Sequence, residues 1–203
     1  MDRRRSVWGF LGLLVALLVG FAIYQIYLPP VLNGATITPP KPMADFTLQS
    51  ARGPVRRSDF HGRLLVVFFG YTNCTDICPL TMAALHQAFD TLGDQASKAQ
   101  VLFISVDPKR DTPAVVESYA SNFRPDFIGL TGSKEQIDQA TADYGIYYEL
   151  GTPDAATGAY EVAHTDTIEV LDGSGNLVLT WNTGFTADQM ASDLKVLIKK
   201  WIG

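Results

Sequence analysis

Leu64-Leu65-Val66-Val67-Phe68-Phe69 is an unbroken apolar run that empties, through Gly70-Tyr71-Thr72-Asn73, into the chain's only two cysteines, Cys74 and Cys78. So short a continuous apolar run reads as a buried strand. Asp76-Ile77-Cys78-Pro79-Leu80-Thr81-Met82-Ala83-Ala84-Leu85 then reads as the start of a helix. Two thiols separated by three residues at a strand-to-helix turn have three uses. They can close a small disulfide, attack a substrate, or hold a soft metal as thiolates.

The N-terminus bears on which of these applies. Arg3-Arg4-Arg5 precedes Val7 through Leu28, a stretch without a charged residue. As a helix it would extend roughly 33 Å, enough for a bilayer core of about 30 Å. Trp8 at one end and Tyr24 and Tyr27 at the other suit the two interfaces, and the arginines predict that the N-terminus stays inside. The apolar run is longer than that of a cleaved signal peptide and lacks its small-residue site. The expectation is a cytoplasmic segment 1–6, a transmembrane anchor 7–28, a stiff Pro-rich spacer 29–43 and one globular domain 44–203. Its place would be the bacterial inner (cytoplasmic) membrane, single-pass, with the C-terminal domain in the periplasm.

The whole chain carries a net charge of −5, and taking away the +2 of Asp2 and the three arginines leaves −7 for the exported part. That balance offers no basic groove for nucleic acid. Exported cysteines usually oxidise, so a structural disulfide is the bland reading. A bridge closing so short a loop removes little unfolded-state entropy, however, and a domain of this size does not need one. A helix start also favours thiolate. The spacing therefore predicts a functional pair.

Along the rest of the chain, Phe46-Thr47-Leu48 and Val55 predict a small hairpin turning at Arg52-Gly53-Pro54, with Ser58 as a cap before the turn at Asp59-Phe60-His61-Gly62. Gln100 to Val106 is a second buried strand. Thr112-Pro113 opens a helix to about Phe123, with proline where a missing N–H does no harm. Phe127 to Leu130 is a third strand, and Ser133 with Gln136 makes a capping box for a helix to Tyr144. Ala163–Leu171 and Leu177–Trp181 flank Asp172-Gly173-Ser174-Gly175-Asn176 as an antiparallel hairpin. Thr186 caps a last helix whose Met190, Leu194, Leu197 and Trp201 form a core-facing stripe. Strand–helix units closed by a hairpin and a helix predict a thioredoxin-like α/β sandwich with a central mixed sheet.

Three histidines are available to join the thiols. His86 lies eight residues beyond Cys78 on the same helix, about 12 Å along its axis, too far to share a metal. His61 sits in a polar turn. His164 lies on the hairpin in Glu161-Val162-Ala163-His164-Thr165-Asp166-Thr167. If Cys74, Cys78 and His164 converge, two thiolates and an imidazole suit copper. Structural zinc normally takes four protein ligands, and there is no third cysteine.

Gly70-Tyr71-Thr72-Asn73-Cys74-Thr75-Asp76-Ile77-Cys78-Pro79, Ser105-Val106-Asp107-Pro108-Lys109-Arg110-Asp111-Thr112-Pro113 and the His164 segment together resemble the Sco/SenC family, from about Asp45 to Leu197. These are membrane-tethered copper proteins that help assemble the CuA centre of cytochrome c oxidase. The resemblance implies one copper per domain, Cu(I) or Cu(II), on Cys74, Cys78 and His164. It implies as partners the CuA-bearing oxidase subunit, a periplasmic thiol reductant and a copper donor, besides the lipid bilayer through residues 7–28. Asp107 matches a family position near the site. Two residues depart from the pattern: Thr75 stands where the family often has proline, and Ala163 where an aspartate commonly precedes the histidine.

The expected function is thus a metallochaperone, not an enzyme in the strict sense. The alternative is a thiol–disulfide oxidoreductase in which Cys74 and Cys78 are the redox-active pair and reduce cysteines of the acceptor. Against it, the usual redox motif spaces its cysteines by two residues. A peroxidase has less support, because Thr75-Asp76-Ile77-Cys78 gives only half of a peroxiredoxin-like pattern and Tyr71 stands where that pattern has proline.

Overall fold

The structure is a computed structural model that describes residues 13–21 and 31–202. Residues 13–21 are helical. The expected segment 1–6 and the flanking Trp8, Tyr24 and Tyr27 lie outside the described residues, as does much of the expected span 7–28. No helix among the described residues is long and apolar enough to cross a membrane. The chain from Leu32 onward is a compact unit of its own.

That unit contains β1 (Ala35–Pro42), β2 (Thr47–Ser50), β3 (Gly53–Arg56), β4 (Leu64–Gly70), α1 (Ile77–Leu92), β5 (Ala99–Ser105), α2 (Pro113–Phe123), β6 (Ile128–Leu130) and α3 (Lys134–Tyr144). It continues with β7 (Tyr148–Leu150), β8 (Val162–His164), β9 (Ile168–Leu171), β10 (Asn176–Trp181) and α4 (Ala187–Trp201). The central sheet has the order β1-β10-β9-β4-β5-β6. It is mixed: β4, β5 and β6 are parallel, whereas β9, β10 and β1 are antiparallel to their neighbours. Every residue of β4 and β5 is buried, as strands covered on both faces must be. Helix α1 packs on α4, and α2 packs on β5 and β6. A Cβ on Gly129 of β6 would stand 2.1 Å from the Val116 carbonyl oxygen, so only glycine lets α2 approach this closely.

The caps agree with the sequence: Thr112, Ser133 and Thr186 each accept a backbone N–H with their side chains, and Gln136 and Gln189 complete the last two as capping boxes. The fold is the expected thioredoxin-like mixed α/β sandwich, with three departures.

The segment 29–43 is not a spacer throughout, because Ala35–Pro42 forms the edge strand β1. Prolines are tolerated there because an edge strand needs only half its N–H groups, and a register shift between Thr36 and Lys41 takes up the Pro39-Pro40 step. Asp193, fully buried in α4, holds this strand in place. Its carboxylate accepts the N–H groups of Asn33 and Gly34 and the indole N–H of Trp181 at 2.8–2.9 Å. Second, the expected strand 163–171 is broken at Thr165-Asp166-Thr167. His164 belongs to β8, which pairs with β7 in a separate two-stranded arm, while β9 begins at Ile168. Third, Ser58 is no cap. Its own N–H donates to Asp45, and Asp59 accepts the Arg56 N–H at the start of that turn.

Glu169 is the one acid in β9, buried between Val67 of β4 and Thr180 of β10. Its Oε2 finds no hydrogen-bond partner among the described residues. Burial pushes its carboxyl up to about 8, against a weaker opposing pull from the Lys41 ammonium. The folded chain therefore holds a proton that the unfolded chain releases above its ordinary value of 4.5. Stability falls as pH rises from there through 8, then levels off. Glu169→Gln should be close to neutral in denaturant melts at pH 4 and stabilising by roughly 3–5 kcal/mol at pH 8.5.

Candidate metal centre

The two parallel strands β4 and β5 end side by side, with Gly70 opposite Ser105 and the Val106 N–H donating to the Gly70 carbonyl at 2.8 Å. The loop beyond Gly70 is fixed by Asp111, a buried residue that the sequence does not single out as functional. Its carboxylate accepts the Thr72 N–H at 2.8 Å, the Thr72 hydroxyl at 2.5 Å and the Ser105 hydroxyl at 2.5 Å. One side chain thereby ties the cysteine loop to the end of β5. Cys74 comes next, its N–H donating to the Tyr71 carbonyl, and α1 begins at Ile77.

The two thiols differ sharply. Cys74 is half-buried, faces a cavity of about 280 Å³, and its sulfur accepts the Cys78 N–H at 3.4 Å. Cys78 is completely buried beneath it. Both are free thiols. The expectation that the helix start would favour thiolate fails for Cys78, because burial, the larger effect, pushes its thiol up. Space around it is tight: a Cβ on Gly70 would stand 2.8 Å from the Cys78 sulfur and 2.9 Å from the Phe103 ring.

His164 comes to the same place from the β7–β8 arm. Its Nδ1 is 2.9 Å from the Thr165 carbonyl oxygen, which can only accept, so Nδ1 carries the proton. Nε2 then turns its lone pair to the Cys78 sulfur at 3.8 Å. That separation is shorter than the sum of a metal–thiolate and a metal–imidazole bond, roughly 2.3 and 2.0 Å, so one ion can bridge both donors. Among the described residues no three His, Cys, Asp or Glu side chains already stand as a formed metal-binding group. Cys74, the more exposed of the two cysteines, lines the same cavity as His164.

Tyr71 packs edge-on against the His164 ring at 5.9 Å and donates its hydroxyl to Glu161 at 2.6 Å. Burial and that carboxylate both push its phenol up. Asp107, matched by resemblance to a position near the site, does not line the cavity. It is buried, accepts the Tyr160 hydroxyl at 2.7 Å and pairs with Arg110. Arg110 in turn lies 3.6 Å over the Tyr160 ring and donates to the Tyr160 carbonyl at 2.8 Å. This clamp holds the chain leading into β8. Thr75 and Ala163, the two departures, both face the cavity, along with Asp76, Glu161 and Asp166. His61 and His86 serve elsewhere: His61 meets the Gly173 carbonyl, and His86 pairs with Asp90 along α1.

Comparison with known proteins gives the family and the fold. The SCO1/SenC family model matches residues 35–199. The chain belongs to the SCO1/SenC family. A bovine relative, the mitochondrial Protein SCO2 homolog, is 37% identical over 154 residues, 74% of this chain, although the match spans only 58% of that protein's length. Among solved structures, apo Sco1 from Thermus thermophilus is 38% identical with a TM-score of 0.71, covering 84% of this chain and 96% of that one. Bradyrhizobium japonicum ScoI with copper bound is 33% identical with a TM-score of 0.70, covering 77% and 99%. The first of these matches is to a metal-free family member and the second to a copper-loaded one, so both states have the fold seen here.

Asp111 and Gly70 are invisible in the sequence as site residues because their signal is purely structural. Asp111→Ala leaves three donors without their acceptor, two of them on the cysteine loop. It should cost about 2–4 kcal/mol in denaturant melts and speed the alkylation of Cys78 by a small thiol reagent. Gly70→Ala should instead cost about 1–3 kcal/mol by overpacking, and displace the Cys78 sulfur in a structure of the variant.

Proposed function

We propose that this chain is a copper chaperone that carries one copper ion on Cys74, Cys78 and His164 and passes it to the CuA-bearing subunit of cytochrome c oxidase. The observation that carries this reading is the His164 ring, its proton held at Nδ1 and its Nε2 lone pair 3.8 Å from the Cys78 sulfur. In the metal-free chain the Cys78 thiol can donate to this lone pair, and loss of that proton would leave both atoms free to act as ligands. Soft sulfur ligands and one imidazole suit Cu(I), and the same residues accept Cu(II) with a weak further ligand.

Loading requires both thiols to be reduced and to lose their protons. A site outside the cytoplasm therefore needs a thiol reductant and a copper donor. The reading puts the domain in the periplasm, tethered to the inner membrane by residues 7–28. A three-ligand site hands over its cargo by ligand exchange, each incoming thiolate of the acceptor replacing one of the chain's donors.

The second reading is thiol–disulfide exchange, favoured by the partial exposure of Cys74. Cys74 as thiolate would attack an acceptor disulfide, releasing one acceptor thiolate. Cys78 would then displace the second, closing the Cys74–Cys78 disulfide, which the reductant must reopen. Burial of Cys78 works against the second step, which needs it deprotonated.

Cu(I) titration of the reduced domain, residues 31–203, against a competing chelator separates the two. One copper per domain is expected, with His164→Ala and Cys74→Ala each weakening it by more than the roughly hundredfold of a change beyond the ligands. Weak binding, or binding indifferent to His164, would overturn the chaperone reading. Disulfide exchange unaltered by His164→Ala would then stand in its place.

A further inference from the structure

Tyr119 of α2 belongs to an aromatic stack, its ring 4.9 Å from that of Phe103 and 5.3 Å from that of Phe123. Phenylalanine would pack there as well, so the hydroxyl calls for a separate reason. The residue is only partly buried, yet its oxygen is closed to solvent and has no hydrogen-bond partner among the described residues. A side chain whose ring meets solvent while its oxygen does not turns that oxygen inward. Buried polar groups in folded proteins are nearly always paired, and an unpaired one is costly.

What lies inward is the cysteine pair. Phe103, on which Tyr119 stacks, borders the same spot as Cys78: a Cβ on Gly70 would stand 2.9 Å from the Phe103 ring and 2.8 Å from the Cys78 sulfur. The electrostatics agree. Burial pushes the Tyr119 phenol up, and Cys78, Cys74 and Asp111, in that order, push it further. The groups that act on this hydroxyl are thus the two thiols and the carboxylate that braces their loop.

In the metal-free chain neither sulfur is a good acceptor for it. Cys78 is a neutral thiol beside the His164 Nε2, and the Cys74 sulfur already accepts the Cys78 N–H. A neutral thiol accepts hydrogen bonds weakly. A metal-bound sulfur has lost its proton and carries charge, which makes it a strong acceptor.

We propose that Tyr119 is a positioning residue of the metal centre, its hydroxyl donating to the Cys78 sulfur when that sulfur holds copper and standing unpaired when it does not. The assignment rests on the copper reading above. Hydrogen bonds to a ligand sulfur tune the metal it holds, and groups just beyond the ligands also set affinity. Because loading satisfies a donor that the empty site leaves unpaired, the hydroxyl favours the loaded state.

Tyr119→Phe in the domain, residues 31–203, removes the hydroxyl and keeps the ring. It is compared with the parent in denaturant melts without metal, in Cu(I) titration against a competing chelator, and in the thiolate-to-copper absorption band of the Cu(II)-loaded form. The melting midpoint should be unchanged or higher, because an unsatisfied group is lost. Cu(I) affinity should fall by roughly ten- to a hundredfold. The band should move to longer wavelength, because a sulfur without its hydrogen-bond donor gives up charge more easily. A hydroxyl with a merely structural role lowers the midpoint and leaves the band in place. A lowered midpoint, an unmoved band or an unchanged affinity would each overturn the assignment. A parent that binds no copper would overturn the chaperone reading and this assignment together, whereas a parent that binds copper and a variant that matches it would overturn this assignment alone.

Discussion

The Asp111 carboxylate holds the site together. Strands β4 and β5 run parallel and end at the same level, and every parallel pair leaves loops at its carboxyl ends without sheet partners. A loop of six residues from Tyr71 to Asp76 has no regular structure of its own. Accepting both the backbone and the side chain of Thr72, and the Ser105 hydroxyl as well, Asp111 makes that loop part of the sheet's edge. Its own N–H returns to the Asp107 carbonyl, so the Asp107–Thr112 turn and the cysteine loop brace each other. Cys74 and Cys78 inherit their positions from this contact, and Gly70, too small to push the Cys78 sulfur aside, permits it.

Much of this is legible in the sequence, and the parts that are not have identifiable causes. Buried strands, helix caps and the cysteine turn are written locally, in apolar runs and in Ser or Thr three residues before Gln or Val, so they survive without tertiary information. Strand β1 reads as a spacer because its prolines signal extended chain equally well on or off a sheet edge. Long-range contacts distinguish the two: the pairing with β10 and the hydrogen bonds from Asn33 and Gly34 to Asp193, some 160 residues away. The break at Thr165–Thr167 leaves no local mark because the polar residues there fit an alternating strand. Asp166 instead accepts the Thr183 hydroxyl, turning the chain out of the sheet. Among site residues, Cys74, Cys78 and His164 can be named from their chemistry. Asp111, Tyr71 and Glu161 cannot, because their part depends on contacts that span between 39 and 90 positions.

The two cysteines divide their work by depth. A helix start favours thiolate, yet burial reverses that effect at Cys78. A buried, protonated thiol is slow to oxidise and slow to attack. Under the copper reading proposed above, loading would begin where access exists, at Cys74 and at the His164 side of the cavity, with Cys78 losing its proton last.

His164 stands on a different mechanical footing from the thiols, and that difference bears on release. The cysteines, on a loop and on α1, are anchored to the ends of the fully buried parallel strands β4 and β5. His164 rides on β7–β8, two three-residue strands, a pairing too small to be stable alone. Its hold on the core comes from side chains: Arg110 and Asp107 on Tyr160, Tyr71 on Glu161, and Thr183 on Asp166. Under the copper reading proposed above, a metal held by Cys78 and His164 would also tie this small arm to the strands that carry the cysteine loop. Under that reading, withdrawal of the arm would remove the imidazole without disturbing the two sulfurs, and half-exposed Cys74 would be the next to exchange.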